Sequence, residues 1–106
     1  YAKAAEMLFT GDVVTAEKAL AYGLVSQITA ADTLMETALE LAGRIAANPG
    51  KALRMSKRIL VDAQKSDLDQ VLKMSASMQA LAHETEDHAE AVNAFIEKRP
   101  PIFSGR

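Results

Sequence analysis

Helix-breaking residues punctuate this chain at short intervals, and the stretches between them are almost everywhere helix-forming. The opening run to Phe9 is rich in good helix formers and stops at Thr10-Gly11. Thr15 is placed to cap a short helix with Ala16, Ala19 and Leu20 on its apolar side, and Gly23 stands where a left-handed residue closes it. Leu24 to Ile28 is a short, partly β-branched run without a partner strand in the sequence. Thr29-Ala30-Ala31-Asp32 has the spacing of a capping box, and Leu34, Ala38, Leu41, Ala42 and Ile45 follow at helical intervals. Asn48-Pro49 suits the N-cap and first position of the next helix, whose stripe is Ala52, Met55, Ile59, Leu60 and Ala63. Ser66-Asp67-Leu68-Asp69 gives another capping-box-like start, with Ser66 in the cap position, to a helix carrying Leu68, Val71, Leu72, Met78, Leu81 and Ala82. Thr85 caps the last, with Val92, Phe95 and Ile96 as its stripe and Pro100-Pro101 beyond it; after that comes an extended tail. The pattern predicts an all-α chain of about five to six short helices.

Helices this short owe their stability to packed apolar faces. The apolar share is 49% but aromatics are only 5%, so Ala, Leu, Val, Ile and Met must fill whatever core the 106 residues make, and that core is modest. Met55, Met74 and Met78 supply adaptable packing in the middle of the chain. The absence of cysteine excludes a disulfide framework and a thiolate zinc site, and it fits a cytoplasmic location. A formal charge of −2 gives no general attraction to nucleic acid, and no apolar run is long enough to span a membrane. The sequence opens in mid-pattern at Tyr1-Ala2-Lys3-Ala4, as a chain cut inside a helix would.

Two clusters could carry chemistry. In His83-Glu84-Thr85-Glu86-Asp87-His88 the histidines are five apart, with a break expected at Thr85, whereas a zinc-protease helix needs them at i and i+4. A solvated, acidic helix start that favours the helix dipole is the preferred reading, and no metal site is assigned. Lys51, Arg54, Lys57, Arg58 and Lys65 concentrate positive charge. Without interleaved aromatics they read as a solubilising face rather than a nucleic-acid interface. No serine sits in a glycine-rich elbow, and the five glycines are too scattered to cradle a phosphate. No catalytic residue is assigned.

Glu6-Met7-Leu8-Phe9-Thr10-Gly11, then Ala16-Glu17-Lys18-Ala19 and Gly23-Leu24-Val25, then Asn48-Pro49 and Ser56-Lys57, and finally Phe95, Glu97-Lys98-Arg99-Pro100, Phe103 and Gly105 fall in the order and spacing of one family. Over nearly its whole length the chain resembles the C-terminal region of the crotonase family, the enoyl-CoA hydratases and isomerases. The resemblance implies that residues 1–106 are the helical, oligomerising and active-site-covering region of a larger acyl-CoA enzyme, with the catalytic spiral domain absent. In that family the spiral supplies two backbone donors to the thioester oxygen and acidic groups that move protons. None of these can be assigned here, so the segment alone is expected to be inactive.

By the same resemblance, Phe95 and Lys98 match residues that meet the adenine end of coenzyme A in a neighbouring subunit. An aromatic edge can pack on adenine, and an ammonium can approach ring nitrogens or phosphates. The competing reading makes Phe95 core on the Val92/Ile96 stripe and Lys98 a partner of the helix dipole. No cofactor is expected beyond the coenzyme A thioester, which is the substrate of the parent enzyme. A homo-oligomer is expected, a trimer or hexamer for the parent and a swapped dimer for the segment. The rival reading from a different class is a non-enzymatic helical self-association module. Nothing in this region selects among hydration, isomerisation or the other reactions of the family, nor an acyl chain length.

Overall fold

Six α-helices and no strands make up the regular structure of the computed structural model, which describes all residues from Tyr1 to Arg106. The chain divides into two compact units, Tyr1–Leu39 and Glu40–Arg106.

The first unit begins with α1 (Ala2–Thr10) and α2 (Ala16–Ala21). Helix α1 ends on Gly11 in the left-handed conformation (φ 66°), whose amide returns to the Met7 carbonyl at 3.1 Å. Thr15 caps α2 by accepting from the Lys18 amide at 3.3 Å, as its position in the sequence predicts. Beyond α2, Gly23 (φ 73°) and Leu24 donate back to Leu20 and Ala19 at 3.0 and 2.9 Å, a Schellman closure. Leu24 to Ile28 forms no strand. The capping box expected at Thr29 does not form. Its hydroxyl is engaged by the Thr33 hydroxyl at 2.6 Å, the intervening residues make a turn, and α3 (Leu34–Ala46) starts only after them.

The second unit takes in the end of α3, then α4 (Gly50–Asp62), α5 (Leu68–His83) and α6 (Glu86–Glu97). Asn48 does not cap α4. Its side-chain amide donates backward to the Arg44 and Ile45 carbonyls at 2.8 and 3.3 Å, satisfying acceptors that the end of α3 leaves open. Pro49 takes the cap position of α4 without a side-chain bond. Asp67 rather than Ser66 caps α5, accepting from the Gln70 amide at 2.9 Å. Helix α5 packs between α4 and α6. Ala52, Met55 and Ile59 of α4 face Met78 and Ala82 of α5 across a shallow groove of about 150 Å³. The α5 residues turned inward are Val71, Met74, Met78 and Ala82, whereas Leu68, Leu72 and Leu81 are exposed. The helix thus has a second apolar face with nothing on it.

Thr85 separates α5 from α6 and caps the latter by accepting from the His88 amide at 3.1 Å. Helix α6 buries two residues, Ala94 and Asp87, each 1% exposed, and they are the only buried residues of the chain. What covers Asp87 is the tail. Its carboxylate accepts from the Ser104 amide at 2.7 Å and from the Gly105 amide at 3.1 and 3.0 Å, while its own amide donates to the Arg106 main-chain oxygen at 3.3 Å. One turn on, Glu90 takes the Arg99 guanidinium in a fork at 2.5 and 2.9 Å and the Ile102 amide at 2.8 Å. The tail is extended, as expected, but it is strapped along the helix it follows.

The reversal that permits this lies at Lys98. It is the one non-glycine residue with positive φ (53°), and its amide reaches Phe95 while the Arg99 amide reaches Ala94 at 3.0 Å. This is the closure seen at Gly23, built here with a side chain in place. The Cβ makes that conformation unfavourable by about 1–2 kcal/mol. Replacing Lys98 by Gly should therefore raise unfolding stability by about 1 kcal/mol after the entropic loss at Gly is counted, while Lys98→Ala should give no such gain. Urea unfolding of the three proteins checks this; equal stabilities for Gly and Ala would contradict it.

The strap also carries a pH dependence. The Arg99 guanidinium first, and the Ile102 amide second, pull the Glu90 carboxyl down from 4.5 to about 2. A carboxyl depressed in the folded chain stabilises it above the unfolded value, and that contribution is lost as pH falls from about 4.5 toward 2. Hydrogen-exchange protection at the Ile102 amide should fall across that window and should lose this dependence in Glu90→Gln. Flat protection in the unmodified chain would refute it.

Candidate functional site

The C-terminal end of α6 brings together the two residues that the sequence singles out. Phe95 sits on the last turn and is 84% exposed; Ile96 beside it is also exposed. The expected Val92/Phe95/Ile96 core stripe is therefore not covered within this chain. The buried line of α6 runs instead through Asp87 and Ala94. An exposed apolar ring at a helix end is available to a flat partner.

Lys98 follows three residues later, fixed by the left-handed closure. Its electrostatic surroundings are set by Arg99. That guanidinium bonds Glu90 in a fork and also donates from Nε to Glu97 at 2.6 Å, so both nearby carboxylates are taken. Glu90, and after it Glu97, push the Arg99 pKa above its ordinary value, so the guanidinium stays charged and paired. The Lys98 ammonium has no ion-pair partner and is exposed. The arrangement can offer one aromatic face and one free cation to a ligand that is both flat and anionic.

The other candidates are placed differently. His83 and His88 meet despite the break between their helices, with ring centroids 4.5 Å apart and planes at 29°. No third ligating side chain joins them. Asp87, which the sequence suggests is part of a solvated acidic start, is instead buried on the tail, because three donors converge on it from residues 104 and 105. Of the basic residues on α4, Arg58 is paired with Asp62 at 2.6 Å and Lys51, Arg54 and Lys57 are exposed. In the first unit, Lys3 and Lys18 lie over the Tyr22 ring at 4.2 and 5.4 Å from its centroid. No helix is long and apolar enough to cross a membrane.

The tail contacts of Asp87 and Glu90 are not expected from the sequence patterns above. For Glu90 the available signal was its place on the helix preceding Arg99-Pro100-Pro101, with an arginine placed to fold back on it; Asp87, met by backbone amides, had none.

Comparison with known proteins gives a consistent result. Residues 1–106 match the family model described as enoyl-CoA hydratase/isomerase. The 2,3-dehydroadipyl-CoA hydratase of Escherichia coli strain K12 is 36% identical over 103 residues, covering 97% of this chain and 40% of that protein. The 1,2-epoxyphenylacetyl-CoA isomerase of the same organism is 33% identical over 105 residues, covering 99% of this chain and 40% of the relative. Among solved structures, an enoyl-CoA hydratase from Bacillus anthracis superposes with a TM-score of 0.94 at 33% identity, over 100% of this chain and 41% of that one. The chain thus spans about two fifths of the length of the relatives it matches. Its six helices correspond to the helical C-terminal region of the crotonase fold, and by sequence and fold together the chain belongs to the enoyl-CoA hydratase/isomerase family.

Proposed function

We propose that residues 1–106 are the C-terminal helical region of a cytoplasmic, homo-oligomeric acyl-CoA hydratase or isomerase, and that Phe95 and Lys98 meet the adenine end of its coenzyme A thioester. The observation that carries this reading is the free ammonium of Lys98 beside an 84% exposed Phe95 at one fixed helix end. Coenzyme A offers the matching chemistry there, a flat base and phosphate oxygens. The family membership and the relatives' names, each a hydratase or isomerase of a coenzyme A ester, supply the substrate class. Within such an enzyme this segment binds and orients, and the groups that move protons lie in the remainder of the family's length. The segment alone is accordingly inactive.

Lys98→Ala in the full-length protein should weaken binding of a coenzyme A thioester about fivefold, corresponding to roughly 1 kcal/mol for an exposed charge-assisted contact, with kcat little changed. The adenine end is remote from the thioester, so its contacts are made equally in ground and transition states. The corresponding pantetheine thioester, which lacks the nucleotide, should bind the variant and the unmodified protein alike. Equal weakening of both ligands would show that Lys98 does not meet the nucleotide.

The reading of this segment as a self-association module rests on a separate observation. Ala94 is the only buried apolar residue, while Leu68, Leu72 and Leu81 on α5 and Leu34, Leu39 and Ile45 on α3 are exposed. Apolar faces of this extent find partners in water. Helix exchange at Asn48-Pro49 or Lys65-Ser66 would give a swapped dimer of the 106-residue chain. Sedimentation equilibrium at micromolar concentration should report more than one chain per particle; a monomer would exclude the module.

A further inference from the structure

We propose that Glu90 is a positioning residue for the Lys98 ammonium, acting through Arg99. It fixes the left-handed reversal that presents Lys98 by gripping the Arg99 side chain and the Ile102 amide. The inference rests on the proposed contact of Phe95 and Lys98 with the nucleotide, and extends it to a residue that touches neither ligand nor lysine.

Three helices of this chain close through a left-handed residue. Two of them use glycine, Gly11 and Gly23, and the third uses Lys98. Where only a turn is required the chain has the residue without a Cβ; at the end of α6 it carries a long cationic side chain in the same conformation. A strained conformation of this kind persists only where its surroundings over-determine it. At Lys98 those surroundings converge on one carboxylate. Glu90 receives the Arg99 fork at 2.5 and 2.9 Å and the Ile102 amide at 2.8 Å, and so grips the chain on both sides of Pro100-Pro101. The prolines fix φ between those two grips, leaving the segment little freedom to relax. The Arg99 amide is tied to Ala94 at 3.0 Å, so the residue after Lys98 is held by both its backbone and its side chain.

The same guanidinium decides the charge that a ligand meets. Glu97 precedes Lys98 directly, and a free carboxylate there would compete with phosphate for the ammonium. Arg99 Nε occupies Glu97 at 2.6 Å. Removing the Glu90 fork leaves the Arg99 side chain and the Ile102 amide without their shared anchor, which loosens the reversal on the far side of Lys98. That loosening lowers affinity for an anionic nucleotide, and it acts only through Lys98.

A double-mutant cycle tests this in the full-length protein, with calorimetric binding of a coenzyme A thioester and of the pantetheine thioester bearing the same acyl group. Glu90→Gln should weaken coenzyme A binding about threefold and leave pantetheine binding unchanged; in the Lys98→Ala background it should have no further effect on either ligand. Arg99→Lys, which keeps the charge but loses the fork, should reproduce the result and carries the same cycle if Glu90→Gln does not fold. Glu90→Gln weakening both ligands equally, or adding its full effect to that of Lys98→Ala, would overturn the proposal and leave Glu90 as a support of the fold alone. A nucleotide-specific loss in Lys98→Ala without one in Glu90→Gln or Arg99→Lys would overturn the positioning role while the nucleotide contact stands. Lys98→Ala that fails to distinguish the two ligands would remove the nucleotide contact, and the positioning role with it.

Discussion

The buried carboxylate of Asp87 organises the end of the chain. A charge taken out of water must be met by donors, or the helix that carries it is strongly destabilised. Here the donors come from main chain nearly twenty residues away, the amides of Ser104 and Gly105, with the Ser104 hydroxyl at 3.4 Å. Gly105 takes a φ of 80° at this approach. The exchange is reciprocal, because the Asp87 amide, one of the donors that a helix start leaves free, is met by the Arg106 main-chain oxygen. The Glu90–Arg99 pair on the next turn is partly solvated, and pairs of that kind stabilise less for the same geometry. Asp87 therefore holds the tail on the helix, and Glu90 sets the path the chain takes to reach it.

That use of α6 has a consequence for the rest of the second unit. The face of α6 centred on Asp87 and Ala94 is occupied by the chain's own tail, and α5 turns Val71, Met74, Met78 and Ala82 toward its neighbours. The large leucines of α5 are left facing water, as are Phe95 and Ile96 of α6. An apolar content of 49% with one buried apolar residue is a mismatch that a self-sufficient domain does not show. It fits a segment whose outer faces are made to be covered by more protein, which is the role proposed for it within a longer acyl-CoA enzyme.

Local chemistry was the legible part of the sequence. Thr15, Thr85, Gly11 and Gly23 act as their types and spacings predict, because a cap or a left-handed closure is decided within a few residues. The all-α class follows from the same signals. Where two local partners competed, spacing alone misled. The Thr29 hydroxyl bonds Thr33 instead of closing a capping box, and Asn48 serves the helix behind it instead of the one ahead. Which face of an amphipathic helix is covered within the chain was not legible, since Leu68, Leu72 and Leu81 have the period of a core without being one. The burial of Asp87 was hidden for a different reason. Its partners are backbone amides, which carry no sequence signature, and they lie beyond a reversal at a lysine where only glycine would have announced one.

In the proposed nucleotide contact, the lysine at that reversal links stability to recognition. A glycine at position 98 would close the helix with less strain, as Gly23 does for α2, but it would leave the helix end without a cation. The left-handed penalty of about 1–2 kcal/mol is small against what holds the tail in place, namely a buried carboxylate with its amides and a forked ion pair. The chain can therefore carry the strain locally because the strap opposes relaxation on the far side of Pro100-Pro101. Strain of this kind fixes direction: a side chain on a freely closing turn samples many orientations, whereas one on a closure gripped from both ends starts from a single backbone geometry. A ligand that meets Lys98 then has less ordering entropy to supply on binding. In the proposed contact the tail adds no catalytic group and sets only the backbone geometry from which Lys98 reaches its ligand.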